Sequence, residues 1–524
     1  EILKFLKNYE SKIKKLAKES AIAHWNAQVT GKKELYKKAE ELSKKIQKIH
    51  NSKEDYEKSK KFYESNIKDP LIKRQIKLIY ESYLANQGDI KLIHEITEKE
   101  SAIDHSFNTF RAEINKKKLT DNQIKELLKK EKNSEKLKKY WEASKKQGEV
   151  VNKQLIKIIK LRNKLATSLN FKDYYEFSLF LQEQNKEQLI KIFKELEEST
   201  NEAFEELKKE IDSRLKQRYS VEELKPWHYQ DLFFQEAPST SEVNLDEYYN
   251  KDILEVARKF YQSINLEVDD IISRSSWYEA EGKCQHAFCM NVDREGDVRV
   301  LENIKENEYW METTLHELGH AVYDKFTDKN LPFLLRDAAH ILTTEAIAML
   351  FGRLSHSPDF LKNYTEISEK ELKKIIPTLE KMSRMKQLIM TRWILVMFNF
   401  EIKMYENPDQ NLNELWWQLV KKYQFINFSR DKPDWASKIH FTIAPVYYHN
   451  YMLGELYASQ IHKTISKLTN QDIKQVKYSG NEEIGKYLKE KIFSKGMILP
   501  WDKLIKESTG EELTPKSYVQ QFVK

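Results

Sequence analysis

Residues 307–322 read NEYWMETTLHELGHAV, and the fold and chemistry of the chain can be worked out from this stretch. Asn307 is a typical helix-capping residue, and the apolar positions after it recur at helical spacing. His316 and His320 stand four positions apart, so a helix places both imidazoles on one face, about one turn from each other. Such a pair can bind one zinc ion, and Glu317 between them can take a proton from a water at the open coordination position. The stretch therefore predicts a zinc peptidase.

A catalytic zinc site needs a third protein ligand on another element, and Glu345 is the candidate. It lies in an apolar, strongly helix-forming run, which Thr343 or Thr344 is expected to cap. The turn-forming residues 329–332 (KNLP) separate this run from the motif helix. We therefore predict that the second helix folds back onto the first.

The composition indicates one large helical body. The 524 residues include only 12 glycines and 11 prolines, with no linker, low-complexity segment or fixed-period repeat. Long stretches such as 1–50 and 121–165 alternate charged and apolar residues at helical spacing. The local exception is a predicted β-hairpin beside the zinc helix, with strands at 285–292 and 298–303. We predict a mainly α fold with a single zinc peptidase domain over 1–524.

The charge pattern excludes several partners. The 89 basic and 82 acidic side chains are interleaved, so the net charge of +7 is spread over a large surface. Such lysine-rich helix faces are typical of solvated surface, and we predict no nucleic-acid partner. No run of about eighteen apolar residues occurs, which predicts no transmembrane segment. Cys284 and Cys289 lie five positions apart in one strand-like segment and are predicted to be free thiols.

The motif segment 312–321, followed by TEAI at 344–347, resembles the peptidyl-dipeptidase A family, whose best-known member is angiotensin-converting enzyme. Other segments resemble this family in the same order along the chain. They are AHWNA at 23–27, LRNK at 161–164, DYY at 173–175, CQHAF at 284–288, KIHF at 438–441 and PVYYHNY at 445–451. The resemblance spans nearly the whole chain, and we expect a bacterial member of the family.

The resemblance implies roles for individual residues. The two motif histidines and the downstream glutamate would hold one zinc ion, and Glu317 would carry a proton from water to the leaving amine. The oxyanion that forms needs prepositioned donors, and His440 and Tyr451 match the two donors of the family. His286 and Ala287 match a strand whose edge pairs with an extended peptide substrate.

The resemblance also implies a pocket for the end of the substrate. A lysine and a tyrosine of the family hold the free C-terminal carboxylate two residues past the cleaved bond, and Lys438 matches that lysine. Tyr448 is its expected partner, while Tyr447 stays open because the segment between the two oxyanion donors is one residue longer than the family pattern. The pocket also contains a glutamine, for which Gln230, after Trp227, is the candidate.

Two positions depart from the family pattern. Met349 stands where the family has an aspartate that orients the first zinc histidine, so either another acceptor replaces it or the zinc site is poorer. Asn450 stands where the animal enzymes have an arginine that holds chloride. The sequence therefore gives no support to chloride activation through that position.

Together these features predict a zinc peptidyl-dipeptidase with a two-lobed helical body and a deep central substrate groove. We expect a monomer that acts on short peptides with free C-termini. A thimet-like oligoendopeptidase that cuts internally, and an inactive helical binding protein on the same scaffold, stay open as alternatives. The chain begins at Glu1 without a methionine or signal sequence. The resemblance favours a periplasmic or extracellular location, with the cytoplasm left open.

Overall fold

Helices account for most of the structure, a computed structural model that describes residues 1–239 and 243–524. This part of the chain contains 21 α-helices and two short β-hairpins. The helices are α1 (Ile2–Thr30), α2 (Lys33–His50), α3 (Lys53–Tyr63), α4 (Pro70–Leu84), α5 (Ile90–Thr109), α6 (Asp121–Lys130), α7 (Ser134–Ser168), α8 (Tyr174–Leu181), α9 (Lys186–Tyr219), α10 (Ile253–Ser263), α11 (Asp269–Arg274), α12 (Glu308–Phe326), α13 (Ile341–Gly352), α14 (Pro358–Tyr364), α15 (Glu369–Glu406), α16 (Leu412–Gln424), α17 (His440–Ile443), α18 (His449–Leu468), α19 (Glu482–Lys491), α20 (Trp501–Thr509) and α21 (Lys516–Phe522). The strands are β1 (Ala112–Ile114), β2 (Lys117–Leu119), β3 (Phe288–Asn291) and β4 (Val298–Leu301). The predicted mainly α fold is confirmed.

The chain forms two compact units, each assembled from segments that are distant in sequence. Unit 1 consists of Glu1–Gln87, Val243–Leu379 and Leu453–Gln521, and unit 2 consists of Gly88–Glu242, Glu380–Met452 and Phe522–Lys524. Neither unit can therefore form from one continuous stretch of chain. The single domain and the groove stay predictions. Among the described residues, no helix is both long and apolar enough to cross a membrane.

The motif helix α12 begins where the sequence predicts. The side chain of Asn307 accepts a hydrogen bond from the backbone N–H of Trp310, which satisfies one of the donors that a helix leaves unpaired at its first turn. The apolar face of α12, including Met311, Leu315 and Leu318, is completely buried in unit 1. The helix is thus fixed by its core face, while both motif histidines stay partly accessible.

Helix α13 packs unusually close to α12 because Gly319 has no side chain. A Cβ atom at this position would lie 2.9 Å from the Cα of Ala348, closer than such atoms can approach. The start of α13 differs from the prediction, because its cap is His340, whose Nδ1 accepts from the N–H of Leu342. The prediction that Thr343 or Thr344 caps this helix is therefore wrong.

The β3–β4 hairpin packs against α12, as predicted, and pairs Phe288 with Leu301 in antiparallel register. It is shorter than predicted, so His286 and Ala287 lie in the connection before β3, and the prediction that they lie on the strand is wrong. The second strand also ends earlier than predicted, at Leu301, where the N–H of the next residue, Glu302, donates to the carbonyl of Ser276. Both cysteines are free thiols, as predicted.

Candidate active site

Three candidate metal ligands meet in unit 1, where α13 packs against α12. The Nε2 of His316 lies 3.6 Å from one carboxylate oxygen of Glu345, and the Nε2 of His320 lies 3.8 Å from the other. One ligand atom from each residue lies within 4.8 Å of the others. Donors around a tetrahedral zinc ion are roughly 3.4 Å apart, so this set of two imidazoles and one carboxylate fits zinc and leaves one position open.

Thr344 supports this group from α13. Its hydroxyl lies 2.7 Å from the Nδ1 of His320, which leaves the Nε2 of the ring directed towards Glu345. A partner on the second ring nitrogen fixes the orientation and tautomer of a metal-binding histidine. Sequence reasoning assigned Thr344 a capping role only, because the distance from α12 to α13 depends on Gly319 and is not visible in a local pattern.

Burial shifts the charge states of these residues in a consistent direction. Burial and, to a smaller extent, the nearby Glu345 carboxylate together raise the pKa of Glu317 to about 8. Burial also raises the pKa of Glu345 to about 7 and lowers the pKa of His320 well below its usual range. Buried carboxylates of this kind are stabilised in their charged form by a nearby cation, and a neutral imidazole offers the lone pair that a metal binds.

A second group of ionisable side chains lies near the start of α12. Ligand atoms of Glu308, Glu312 and His356 lie within 4.8 Å of one another. The Nε2 of His356 is 3.2 Å from Glu308, and the hydroxyl of Ser355 is within hydrogen-bond distance of both side chains. We interpret this group as a histidine–carboxylate pair rather than a metal site, because His356 and Glu308 already have each other and Ser355 as polar partners.

Lys438 lies in a buried aromatic pocket of unit 2. Its side chain is 9% exposed, and its Nζ lies 5.2 to 5.3 Å from the ring centres of Phe233, Trp393 and Tyr448. Its Nζ also donates a hydrogen bond of 2.7 Å to the Oε1 of Gln235. Burial lowers the pKa of Lys438 to about 8, so the ammonium is still mostly charged at neutral pH. The pocket thus contains a buried cation with one amide partner.

The glutamine in this pocket is Gln235 and not the predicted Gln230. The side chain of Gln230 is held by two other groups, since it donates to the hydroxyl of Tyr219 and accepts from the N–H of Ser239. The carboxylate of Asp231 accepts from the N–H groups of residues 233 and 235, and this turn carries Gln235 to the lysine. The sequence alone does not show whether Gln230 or Gln235 contacts Lys438, because the two lie only five positions apart in one segment.

The remaining predicted residues of unit 2 form one aromatic cluster. The ring of His440 packs edge-on against Tyr448, with 4.8 Å between the ring centres, and Tyr448 lies 5.2 Å from Tyr451. The hydroxyl of Tyr448 accepts from the indole N–H of Trp393, which leaves its own proton to donate. Burial, together with the charge of Lys438, lowers the pKa of His440 to about 4. The imidazole of His440 is therefore neutral at physiological pH.

Asn450 is part of a buried amide network. Its Nδ2 donates to Gln182 at 2.8 Å, and its Oδ1 accepts from Gln184 at 2.7 Å. Gln184 in turn lies 2.6 Å from the ring of His449. Asn450 and the two glutamines bonded to it are amides without charge, so Asn450 does not provide the cation that an arginine would offer to an anion at this position.

A model of a known protein family matches nearly the whole chain. The family model described as angiotensin-converting enzyme, peptidase family M2, matches residues 1–228 and 234–523 of this chain. No curated protein matches the chain. The two matched segments leave out residues 229–233.

Proposed function

The chain belongs to the angiotensin-converting enzyme family of zinc metallopeptidases, and from this premise we propose that it releases dipeptides from the free C-termini of oligopeptides. The observation that supports the release of dipeptides, beyond zinc peptidase activity in general, is the buried ammonium of Lys438. A buried charge is stable only with polar or oppositely charged partners, and a substrate carboxylate would be such a partner.

We assign the metal to the group formed by His316, His320 and Glu345. When bound there, zinc supplies Lewis-acid polarisation of a peptide carbonyl. Glu317 lies next to these ligands on α12 and takes a proton from the attacking water, then returns it to the leaving amine. Its raised pKa favours both steps, because a general base works best when its pKa is near the operating pH.

His440 and Tyr451 are the proposed donors to the oxyanion that develops when water attacks the carbonyl. A neutral imidazole and a phenol each carry one proton that can be donated without a change in net charge. Donors that are held in place before the reaction stabilise the developing charge more than mobile water does. The packing of both rings against Tyr448 restricts their orientation.

Lys438, Gln235 and Tyr448 form the proposed pocket for the substrate carboxylate. Lysine provides the charge, and the hydroxyl of Tyr448 has a proton left to donate because the indole of Trp393 already donates to its oxygen. A peptide with an amidated C-terminus lacks the charge that this pocket binds. The proposal therefore requires that cleavage depends on a free carboxylate.

Mass spectrometry of a digested N-acetylated octapeptide tests the proposal. The zinc-loaded protein is incubated with the free acid and, separately, with the C-terminal amide of the same peptide. We expect successive loss of dipeptides from the acid and far slower cleavage of the amide. Equal internal cleavage of both peptides would instead identify an oligoendopeptidase, and two intact peptides would favour a binding protein. The Glu317→Gln variant, purified in parallel, controls for contaminating peptidases.

A further inference from the structure

Val446 has a backbone conformation that a β-branched residue rarely adopts. Its φ angle is 54°, in the left-handed region, and its side chain is completely buried. A branched side chain collides with the backbone in this region, so the conformation persists only where the surroundings impose it. Val446 precedes Tyr448 by two positions and Tyr451 by five. The direction of the chain at Val446 thus affects where both tyrosines point.

Side chains from two other segments hold the backbone of Val446. Its N–H donates to the Oε1 of Glu401 at 2.7 Å, and its carbonyl accepts from the Nε2 of Gln182 at 2.8 Å. Glu401 lies on α15 and is 4% exposed. Because buried backbone groups must be paired, these two side chains provide at Val446 the support that a helix or strand provides elsewhere.

The chain before this turn has a separate anchor. The guanidinium of Arg162 donates to the carbonyls of Phe441 and Thr442 at 2.8 and 2.6 Å. This anchor fixes α17 and therefore His440, which is its first residue. The position of His440 thus has its own support. The residues after the turn are held by Trp393 at Tyr448 and by Gln182 and Gln184 at Asn450, and the direction in which the chain reaches these contacts is set at Val446.

We infer that Glu401 is a positioning residue, whose carboxylate holds the strained turn at Val446 and so aims Tyr448 and Tyr451. The inference rests on the proposed function, in which these tyrosines contact the substrate carboxylate and the oxyanion. In this proposal Glu401 itself contacts neither the substrate carboxylate nor the oxyanion. The hydrogen bond needs only an acceptor oxygen, so an amide of the same length can replace the carboxylate.

Four variants of the zinc-loaded protein test this role. Glu401→Leu removes the acceptor and Glu401→Asp withdraws it by one methylene, whereas Glu401→Gln keeps it. We expect kcat/KM to fall roughly 10- to 100-fold in the leucine and aspartate variants, because small misplacements of catalytic groups have effects of this size. Glu401→Gln should stay within about threefold of the wild type. The double variant Glu401→Leu/Val446→Gly should regain most of the loss, since glycine adopts the left-handed conformation without a collision.

Two controls separate positioning from general stability and from the proposed function. Ile124→Ala removes buried volume from α6 in the same unit, and it should lower the melting temperature without changing kcat/KM. Hydrogen exchange of the peptide 440–451 gives a readout that does not require activity. It should be faster in Glu401→Leu and Glu401→Asp than in the wild type, and normal in Glu401→Gln and Ile124→Ala.

Distinct outcomes overturn the two ideas. An inactive wild type with the expected exchange pattern contradicts the proposed function but leaves Glu401 as the support of the turn. Wild-type kcat/KM in folded Glu401→Asp and Glu401→Leu, or no recovery when Val446→Gly is added, contradicts the positioning role. If Glu401→Leu does not fold, the comparison of Glu401→Asp with Glu401→Gln decides.

Discussion

Replacing Lys438 with methionine should remove the preference for a free substrate carboxylate. Methionine keeps an unbranched, flexible side chain that fits the aromatic pocket but carries no charge. The lysine is 9% exposed, so its interaction with a carboxylate takes place largely away from water. Removal of one partner of a buried, hydrogen-bonded charge pair costs about 2 to 5 kcal/mol. This corresponds to a decrease in kcat/KM of roughly 30-fold to a few thousand-fold.

The assay combines two enzymes with two substrates. The kcat/KM of the wild type and of Lys438→Met is measured for a peptide with a free C-terminus and for its C-terminal amide. The interaction free energy of this cycle isolates the contact between ammonium and carboxylate, because general damage to the enzyme affects both substrates. We expect the large decrease for the free acid only, with the amide within about threefold. Equal decreases for both peptides would refute the reasoning.

The pKa of Lys438 gives this prediction a pH dependence. In the free enzyme burial lowers this pKa to about 8, and a bound carboxylate favours the charged form, so binding raises the pKa. The affinity for the carboxylate is therefore complete below pH 8 and decreases as the pH rises through this value, by about tenfold per unit. Lys438→Arg, which stays charged, and the amidated substrate should both lack this decrease. The same alkaline decrease with the amide would assign it to another group.

Three further predictions concern the remaining residues. Thr344→Val should weaken zinc binding about 10- to 100-fold in a competition titration with a chelator, while Thr313→Val on the outer face of α12 should not. His440→Gln and Tyr451→Phe should each lower kcat roughly 100- to 1,000-fold with little change in KM, which steady-state kinetics measures. Chloride titration at constant ionic strength should give no activation, because Asn450 and the two glutamines bonded to it carry no charge; a saturable increase in kcat would contradict this.

The helical positions of His316, His320 and Glu345 could be predicted because they depend mostly on local information. The cap at Asn307 and the 3.6-residue period fix the start and the faces of α12, and both are properties of the sequence itself. Glu345 was selected as the candidate third ligand by the same means, as a carboxylate in an apolar helix. The role of Thr344 was missed because it depends on how closely Gly319 lets α13 approach, and a contact between two helices leaves no local pattern.

The ends of short strands were predicted less well for a related reason. A strand ends where another partner competes for its backbone groups, and after Leu301 that partner is Ser276, whose carbonyl accepts from the N–H of Glu302. The β1–β2 hairpin was not predicted at all. Its turn places Asn115 and Lys116 at φ angles of 51° and 65°, and only the asparagine is a typical signal for such a turn. The surrounding lysines and glutamates resemble the surface of a helix, so the sequence pattern does not indicate this hairpin.

The proposed zinc site and the proposed carboxylate pocket each contain an ionisable side chain whose pKa is shifted by burial. This shared property predicts how ligands affect the stability of the protein. In unit 1 burial raises the pKa of Glu345, and in unit 2 burial lowers the pKa of Lys438, so each side chain in isolation is driven towards its neutral form. An ion of opposite charge removes this penalty, because folding has already displaced the water that would otherwise compete. Zinc and a free dipeptide should therefore each raise the melting temperature, as ligands that bind only the folded state do. Lys438→Met should abolish the effect of the dipeptide and keep that of zinc, since the cation acts on carboxylates and not on the lysine.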